Sequence, residues 1–180
     1  MNAISLLYQT LYVLGELCFF RAKPTTLPYS WVVLGCFAML DCALNVYRLL
    51  ALKTPLQVDI PLSECYIAAI LSVLASITIS YILLAQRKLL VRLNKFLIAI
   101  FGTEILITGF SQLISTIVGK GALPMLNVGL TAWCFAIQVQ IIRQTFETKI
   151  AQSILLLFLI IFAASFPLWS VVGMNAQPQP

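Results

Sequence analysis

The stretch that decides the fold of this chain covers residues 65–86 and reads CYIAAILSVLASITISYILLAQ, without a single charged side chain. A transmembrane helix needs about 20 mostly apolar residues to cross roughly 30 Å of hydrocarbon, and this stretch is long enough. Four further apolar stretches flank it, at about 31–52, 96–118, 121–142 and 150–174. The sequence therefore predicts an all-α fold, a polytopic membrane helix bundle of five transmembrane helices.

The composition of the 180 residues agrees with a membrane domain. Hydrophobic residues make up 61% and charged residues 9%, whereas a soluble domain carries about 25% charged residues. We divide the chain into an N-terminal region at 1–29, a transmembrane domain at 30–174 and an external tail at 175–180. The net charge of +5 comes from short clusters between apolar stretches, which favours a role in orientation over nucleic-acid binding.

The basic residues near the span ends are distributed unequally between the two sides of the predicted bundle. One side has Arg48, Lys53 and Lys120. The other side has Arg21, Lys23, Arg87, Lys88, Arg92, Lys95, Arg143 and Lys149. Cytoplasmic loops carry the excess of Lys and Arg. We therefore predict a multi-pass protein of the bacterial cytoplasmic (inner) membrane, with a cytoplasmic N-terminus and an external, periplasmic C-terminus.

The N-terminal region has polar residues at helical spacing. They are Asn2, Ser5, Gln9, Tyr12 and Glu16. This stripe predicts an amphipathic helix that lies in the cytoplasmic interface, and a sixth crossing is the alternative. The region has neither a basic n-region nor a small-residue cleavage site, so we expect no cleaved signal peptide. Pro24 and Pro28 predict a turn before the first span.

Three polar residues of the first span share one helix face, since Asp41, Asn45 and Arg48 recur at intervals of four and three. Ionisable groups within a membrane usually face a bundle interior and mark ion or substrate paths. The alternative is a ladder within one helix that only orients and packs it. We expect Arg48 to reach the outer headgroups.

A second polar stripe lies on the third span and consists of Glu104, Thr108, Ser111 and Ser115. Glu104 lies in the same third of the membrane as the residues that end the fourth span, Gln138, Gln140 and Arg143. We expect a Glu104–Arg143 pair bridged by the glutamine amides. A proton or cation relay is the functional interpretation, and a neutral or paired structural Glu104 is the alternative.

Small residues recur every fourth position on the second span, at Ala68, Ser72, Ser76 and Ser80. Such rows let helix backbones approach closely in membranes. We interpret this row as a packing surface, either inside the monomer or across an oligomer.

The connection after the second span carries four basic residues, Arg87, Lys88, Arg92 and Lys95. Their spacing places them on one side of a short helical segment, where they set the topology and contact anionic headgroups. A docking surface for a partner is the alternative.

The sequence gives no support for catalysis or for a cofactor. The chain has no histidine, and its cysteines Cys18, Cys36, Cys42, Cys65 and Cys134 show no CxxC spacing, which argues against a metal or haem site. No phosphate-binding loop or catalytic constellation is present. We therefore expect a protein that is not an enzyme.

The layout of the chain resembles that of small bacterial Yip1-type membrane proteins. The resemblance lies in the basic lead Arg21-Ala22-Lys23-Pro24 with Leu27-Pro28, followed by five closely spaced spans with a basic loop after the second. It implies a five-helix polytopic fold with a cytoplasmic N-terminus. Eukaryotic members carry a long cytoplasmic N-terminal region tied to small-GTPase partners. The sequence at hand has no such region, so neither those partners nor any functional residue transfers.

Three functions are compatible with these patterns. The first is an accessory, scaffold or assembly subunit that associates through its helices with other integral membrane proteins or as a homo-oligomer. The second is a small ion or proton conduit that uses Asp41 and Glu104. The third is lipid binding and handling.

Overall fold

The computed structural model describes residues 3–56, 60–117 and 123–175, and within these ranges it contains six α-helices and two 3-10 turns. The helices are α1 (Ala3–Cys18), α2 (Trp31–Leu56), α3 (Leu62–Gln86), α4 (Leu93–Ile117), α5 (Leu123–Phe146) and α6 (Ile150–Asn175). Helices α2 to α6 are long and apolar enough to cross a bilayer. The predicted all-α bundle is confirmed, and the chain is a multi-pass membrane protein.

Several helices extend beyond the predicted spans. Helix α3 begins directly after Pro61, and α5 continues past Arg143 to Phe146. Counting between charges measures only the hydrocarbon segment, whereas a helix can continue for a turn among the headgroups. Asn2, Lys120 and the residues 176–180 lie outside the described residues, as do the side chains of Lys53 and Ser115.

The helix ends show that successive spans alternate in direction. At one end, the amide side chain of Asn94 at the start of α4 accepts a bond from the Ser30 backbone N–H (3.1 Å) and donates one to the Ser30 carbonyl (3.3 Å). Phe96 packs there against Phe146 at the end of α5, with ring centroids 5.5 Å apart. We call this the basic end of the bundle. At the opposite end, Asn175 of α6 donates to Glu64 of α3 over 2.7 Å.

The small-residue row of α3 lies inside the monomer. Ala68, Ser72, Ser76 and Ser80 are all buried, and α3 packs most extensively against α6 and then against α2. Ser76 and Ser80 donate their hydroxyl protons to the carbonyls one turn earlier, so neither needs a partner on another helix. Of the two predicted interpretations, close packing within one chain is the one observed.

Helix α1 packs its C-terminal half against α4 and α5. Leu14 is fully buried over Gly102, where a Cβ atom would come within 2.5 Å of a Leu14 methyl group. The indole N–H of Trp133 donates to the Cys18 carbonyl over 3.1 Å. Gln9 and Tyr12, on the polar stripe, are exposed. The buried face of α1 therefore meets protein, and its place in the membrane interface stays a prediction.

Candidate functional site

A cavity of about 180 Å³ lies at the centre of the bundle, and every one of the five long helices contributes a polar residue to its wall. We call it the central cavity. Its polar lining consists of Asp41, Asn45 and Arg48 from α2, Ser72 and Ser76 from α3, Glu104 from α4, Gln138 from α5 and Ser165 from α6. Most of these were predicted from the sequence, but Ser165 was missed. The sequence feature that could have indicated Ser165 is its position two residues before Pro167, which lies inside α6.

The two carboxylates of the central cavity lie at the same depth. Ser30 and Asn94 are side by side at the basic end, and Asp41 and Glu104 follow them by about 16 and 15 Å along their helices at 1.5 Å per residue. Both positions are therefore near the middle of a hydrocarbon layer roughly 30 Å thick. A charge at that depth is unfavourable by about 2.5 to 3.5 kcal/mol on insertion scales, so each must find a compensating partner.

A chain of hydrogen bonds connects these groups. The Asn45 amide donates to Oδ2 of Asp41 over 3.2 Å, and Arg48 Nη1 lies 3.5 Å from Oδ1 of Asn45. The predicted ladder within α2 is therefore present. It continues onto α4, because Arg48 also donates to Glu104 Oε1 (2.7 Å) and to the Thr108 hydroxyl (3.1 Å).

The expected Glu104–Arg143 pair is wrong, since Glu104 forms its ion pair with Arg48. Counted from the Phe96–Phe146 contact, Glu104 lies about 12 Å into the bundle and Arg143 only about 5 Å. Arg143 is exposed near the basic end. Whether Arg48 also reaches the headgroups stays a prediction. Its side chain leans toward the N-terminus of α2, the preferred direction in a helix, and so meets Glu104.

Asp41 is the most unusual group of the site. The residue is only 5% exposed, and its Oδ2 atom accepts the bond from Asn45. Its Oδ1 atom is buried and has no hydrogen-bond partner among the described residues. Buried polar atoms in folded proteins almost always have a partner, so a carboxylate oxygen without one, in a residue that lines a cavity, calls for an explanation.

A second cavity of about 420 Å³ adjoins the central one, and the two share Arg48, Glu104, Gln138 and Ile161 as lining residues. We call it the outer cavity. It continues along α4 and α5 to Ser111 and Asn127, whose side chains lie 3.4 Å apart toward the opposite end. The side chains of Arg48 and Glu104 are 42% and 26% exposed here. The polar lining thus runs from mid-membrane toward the opposite end.

The bundle is filled between the central cavity and the basic end. Phe96, Phe101, Ile142 and Phe146 are at most 2% exposed in this region, and Phe101 itself forms part of the cavity wall. Close-packed aromatic and aliphatic side chains leave no room for water. In this conformation the polar groups are therefore approached from the opposite end.

Other predicted site residues lie elsewhere. Gln140 is about 200° around α5 from Gln138 and lines neither cavity. Of the four basic residues after α3, Arg92 pairs with Glu147 (2.6 Å) and donates to the Thr145 carbonyl, and Lys95 donates to the Thr25 carbonyl. Arg87 and Lys88 are exposed. The connection is therefore fastened to its neighbours by two of its cations and presents the other two outward.

Metal-binding and thiol chemistry have little support in the described part of the chain. It holds no group of three or more His, Cys, Asp or Glu side chains suited to a metal ion. The five cysteines are free thiols. Burial raises the pKa of the Cys18 thiol, at the end of α1, to about 11. That thiol is therefore neutral and poorly nucleophilic near pH 7.

Comparisons with protein-family models, with curated proteins and with solved structures gave no match to this chain. The resemblance to Yip1-type proteins therefore stays a prediction. The two cavities and their polar groups are the features of this chain that bear on its function.

Proposed function

We propose that this protein binds one small positive charge, a proton or a monovalent cation, at the centre of its helix bundle and conducts it through the membrane. The single observation that carries the proposal is that Asp41, which lines the central cavity, has a buried Oδ1 atom with no hydrogen-bond partner among the described residues. A cation or an added proton is the kind of ligand that satisfies such an oxygen.

The charges of the site support a monovalent ligand. When ionised, Asp41 and Glu104 contribute two negative charges and Arg48 one positive charge. The Arg48–Glu104 ion pair compensates two of the three, which leaves Asp41 as one uncompensated negative charge. Because an isolated charge is unfavourable in hydrocarbon, one bound cation or proton would bring the site to neutrality.

The outer cavity supports conduction as well as binding. It extends the polar wall from Arg48 and Glu104 to Ser111 and Asn127, so it offers a hydrated approach to Asp41 from the opposite end. The packed aromatic layer around Phe101 and Phe146 is the barrier toward the basic end. A transport cycle would require this layer to open while the outer cavity closes, as alternating access demands.

The test is flux in proteoliposomes that contain the purified full chain. Imposed proton and Na⁺ gradients should drive flux in the wild type, and Asp41→Asn should abolish it because the amide has no negative charge to balance a cation and no transferable proton. Glu104→Gln should reduce the flux by disturbing the charge balance. Glu147→Gln is the matched control, since this carboxylate is 68% exposed at the basic end. Unchanged flux in both cavity variants would remove the proposal.

A second candidate function is that of an accessory, scaffold or assembly subunit. It is favoured by the exposure of Arg48 and Glu104 at mid-membrane depth, 42% and 26%, because a helix of another membrane protein would shield them from lipid. Purification in mild detergent, followed by native mass spectrometry, would then recover a stoichiometric complex. A lone chain under all conditions would count against this candidate, and a co-purified lipid would favour lipid handling.

We also propose the location. The eight basic residues near the span ends on the side of the basic end favour a cytoplasmic position for that end, in the inner membrane of a bacterium. The N-terminus is then cytoplasmic, and the outer cavity faces the periplasm.

A further inference from the structure

We infer that the central cavity is a Na⁺ site, with Asp41 Oδ1, Ser76 Oγ and Ser165 Oγ among its oxygen ligands. The inference rests on the proposed function and deepens it by naming the ion. The hydrogen bonds that the oxygen atoms of the lining residues make support this assignment.

The first ligand is the Asp41 carboxylate. Its Oδ2 atom is held by the Asn45 amide at 3.2 Å, which fixes the orientation of the group. Its Oδ1 atom is left buried and without a donor, in a residue that is 95% buried. A carboxylate oxygen can accept hydrogen bonds or bind a cation, and the described neighbours offer this one no donor.

The serine hydroxyls are the second set of ligands. Ser76 donates its only hydroxyl proton to the Ser72 carbonyl over 3.1 Å, and Ser165 donates to the Ile161 carbonyl. A hydroxyl whose proton is used in this way presents only lone pairs to its surroundings. Both residues line the central cavity, on α3 and α6 respectively. The residues that line the cavity therefore include two serines whose hydroxyl oxygens can accept, besides Asp41.

The size and charge of the site select a monovalent ion with hard, oxygen-seeking character. Only one negative charge is left uncompensated, whereas calcium sites use 6–8 oxygen ligands that usually include several carboxylates. A volume of about 180 Å³ holds an ion and several waters, since one water occupies about 30 Å³. A proton would bind Asp41 alone, whereas a Na⁺ ion would also use the two hydroxyl oxygens.

The experiment measures binding apart from transport. The full chain in detergent is titrated with NaCl against choline chloride at constant ionic strength, and thermal unfolding and ²²Na⁺ binding are recorded, with KCl titrated in parallel. A ligand that binds the folded state raises the unfolding temperature in a saturable way. We expect this with Na⁺ and a weaker effect with K⁺.

Three variants locate the site. Asp41→Asn and Ser76→Ala should weaken Na⁺ binding at least about tenfold, which corresponds to about 1.4 kcal/mol. Ser80→Ala is the matched control, because Ser80 is equally buried one turn away, makes the same kind of bond to the Ser76 carbonyl, and does not line the cavity. If Ser76→Ala does not fold, Ser165→Ala takes its place.

The outcomes separate this inference from the proposed function. Absence of Na⁺-specific stabilisation, wild-type affinity in Asp41→Asn, or an equal loss in Ser80→Ala would each overturn the Na⁺ site. If proton flux nevertheless depended on Asp41, the proposed function would stand without it. If neither Na⁺ binding nor any flux depended on Asp41, both would fail.

Discussion

Arg48 Nη1 and Glu104 Oε1 lie 2.7 Å apart, although the two residues are 56 positions apart in the sequence. The contact joins α2 to α4 at Glu104, about 15 Å along α4 from Asn94. It also connects the two cavities, because both residues line each of them. The pair is therefore the structural link between the polar groups of α2 and those of α4.

The ion pair should be strongly coupled in folding stability. Arg48→Gln leaves two like charges, Asp41 and Glu104, without a counter-ion in membrane-spanning helices, so it should lower the unfolding free energy by about 3 kcal/mol. Glu104→Gln should cost less, because Asp41 then compensates the charge of Arg48. The double variant should lower the unfolding free energy by at least about 1 kcal/mol less than the two single losses added together. The measurement is reversible unfolding in detergent or bicelles.

Arg92 and Glu147 provide the control double-mutant cycle. Their charged atoms are also close, at 2.6 Å, but their side chains are 31% and 68% exposed at the basic end. Its coupling should stay below about 1 kcal/mol, as for other exposed pairs. Equal coupling in the two cycles would contradict the placement of Arg48 and Glu104 in the membrane-spanning part of the bundle.

The contact of Leu14 with Gly102 should limit the size of the residue at position 102. Gly102→Ala places a methyl group 2.5 Å from a Leu14 methyl, which should lower stability by about 1 to 3 kcal/mol through overpacking. In a Leu14→Ala background, Gly102→Ala should cost less, because the methyl groups that it would meet are absent. Thermal unfolding of the purified protein is the readout.

Gly109→Ala is the control on the same helix, because nothing lies within 4 Å of the added Cβ atom. Alanine is preferred over glycine in a helix by about 0.5 to 1 kcal/mol, so this variant should be neutral or stabilised. If both variants behaved alike, α1 would not be held against α4 as described.

Cys18 should react slowly with maleimides while the protein is folded. Its pKa is raised by burial from 9.0 to about 11, so near pH 8 the thiolate fraction is about 100-fold lower than in the unfolded chain. In a variant that retains only this cysteine, the labelling rate should rise with pH up to about 11 and should jump on denaturation in SDS.

The raised pKa of Cys18 also determines how the stability of the folded protein changes with pH. A thiol with a raised pKa favours the folded state fully below pH 9, and this contribution is lost as the pH rises from 9 toward 11. Glu147→Cys combined with Cys18→Ala supplies an exposed control thiol. Equally fast labelling of the two thiols in the folded protein would argue against a buried Cys18.

The two termini should lie on opposite sides of the membrane. Five crossings require it, and the basic residues at the basic end predict that the N-terminus is the cytoplasmic one. Reporter fusions at both ends give the readout. Both reporters on one side would indicate that α1 crosses the membrane as a sixth span.

Hydrophobic length and helical period predicted much of the fold and of the site. The five spans follow from counting apolar residues between charges, and the faces that carry Asp41, Asn45 and Arg48, or Glu104 and Thr108, follow from their spacing. The predicted Glu104–Arg143 pair is wrong because the sequence gives only a coarse estimate of how deep each residue lies in the membrane. An offset of about 7 Å between two residues decides whether they meet, and sequence position gives no such precision.

The sequence by itself determined which segments enter the bilayer and which side chains must avoid lipid. The free energy of transferring a helix into hydrocarbon depends on its own composition, so it can be summed residue by residue from the sequence. Only the tertiary structure decided that Arg48 pairs with Glu104, that the row from Ala68 to Ser80 packs against its own chain, and that Asp41 lines a cavity. These outcomes depend on the rotation and relative depth of neighbouring helices, which are set by contacts between residues far apart in the sequence.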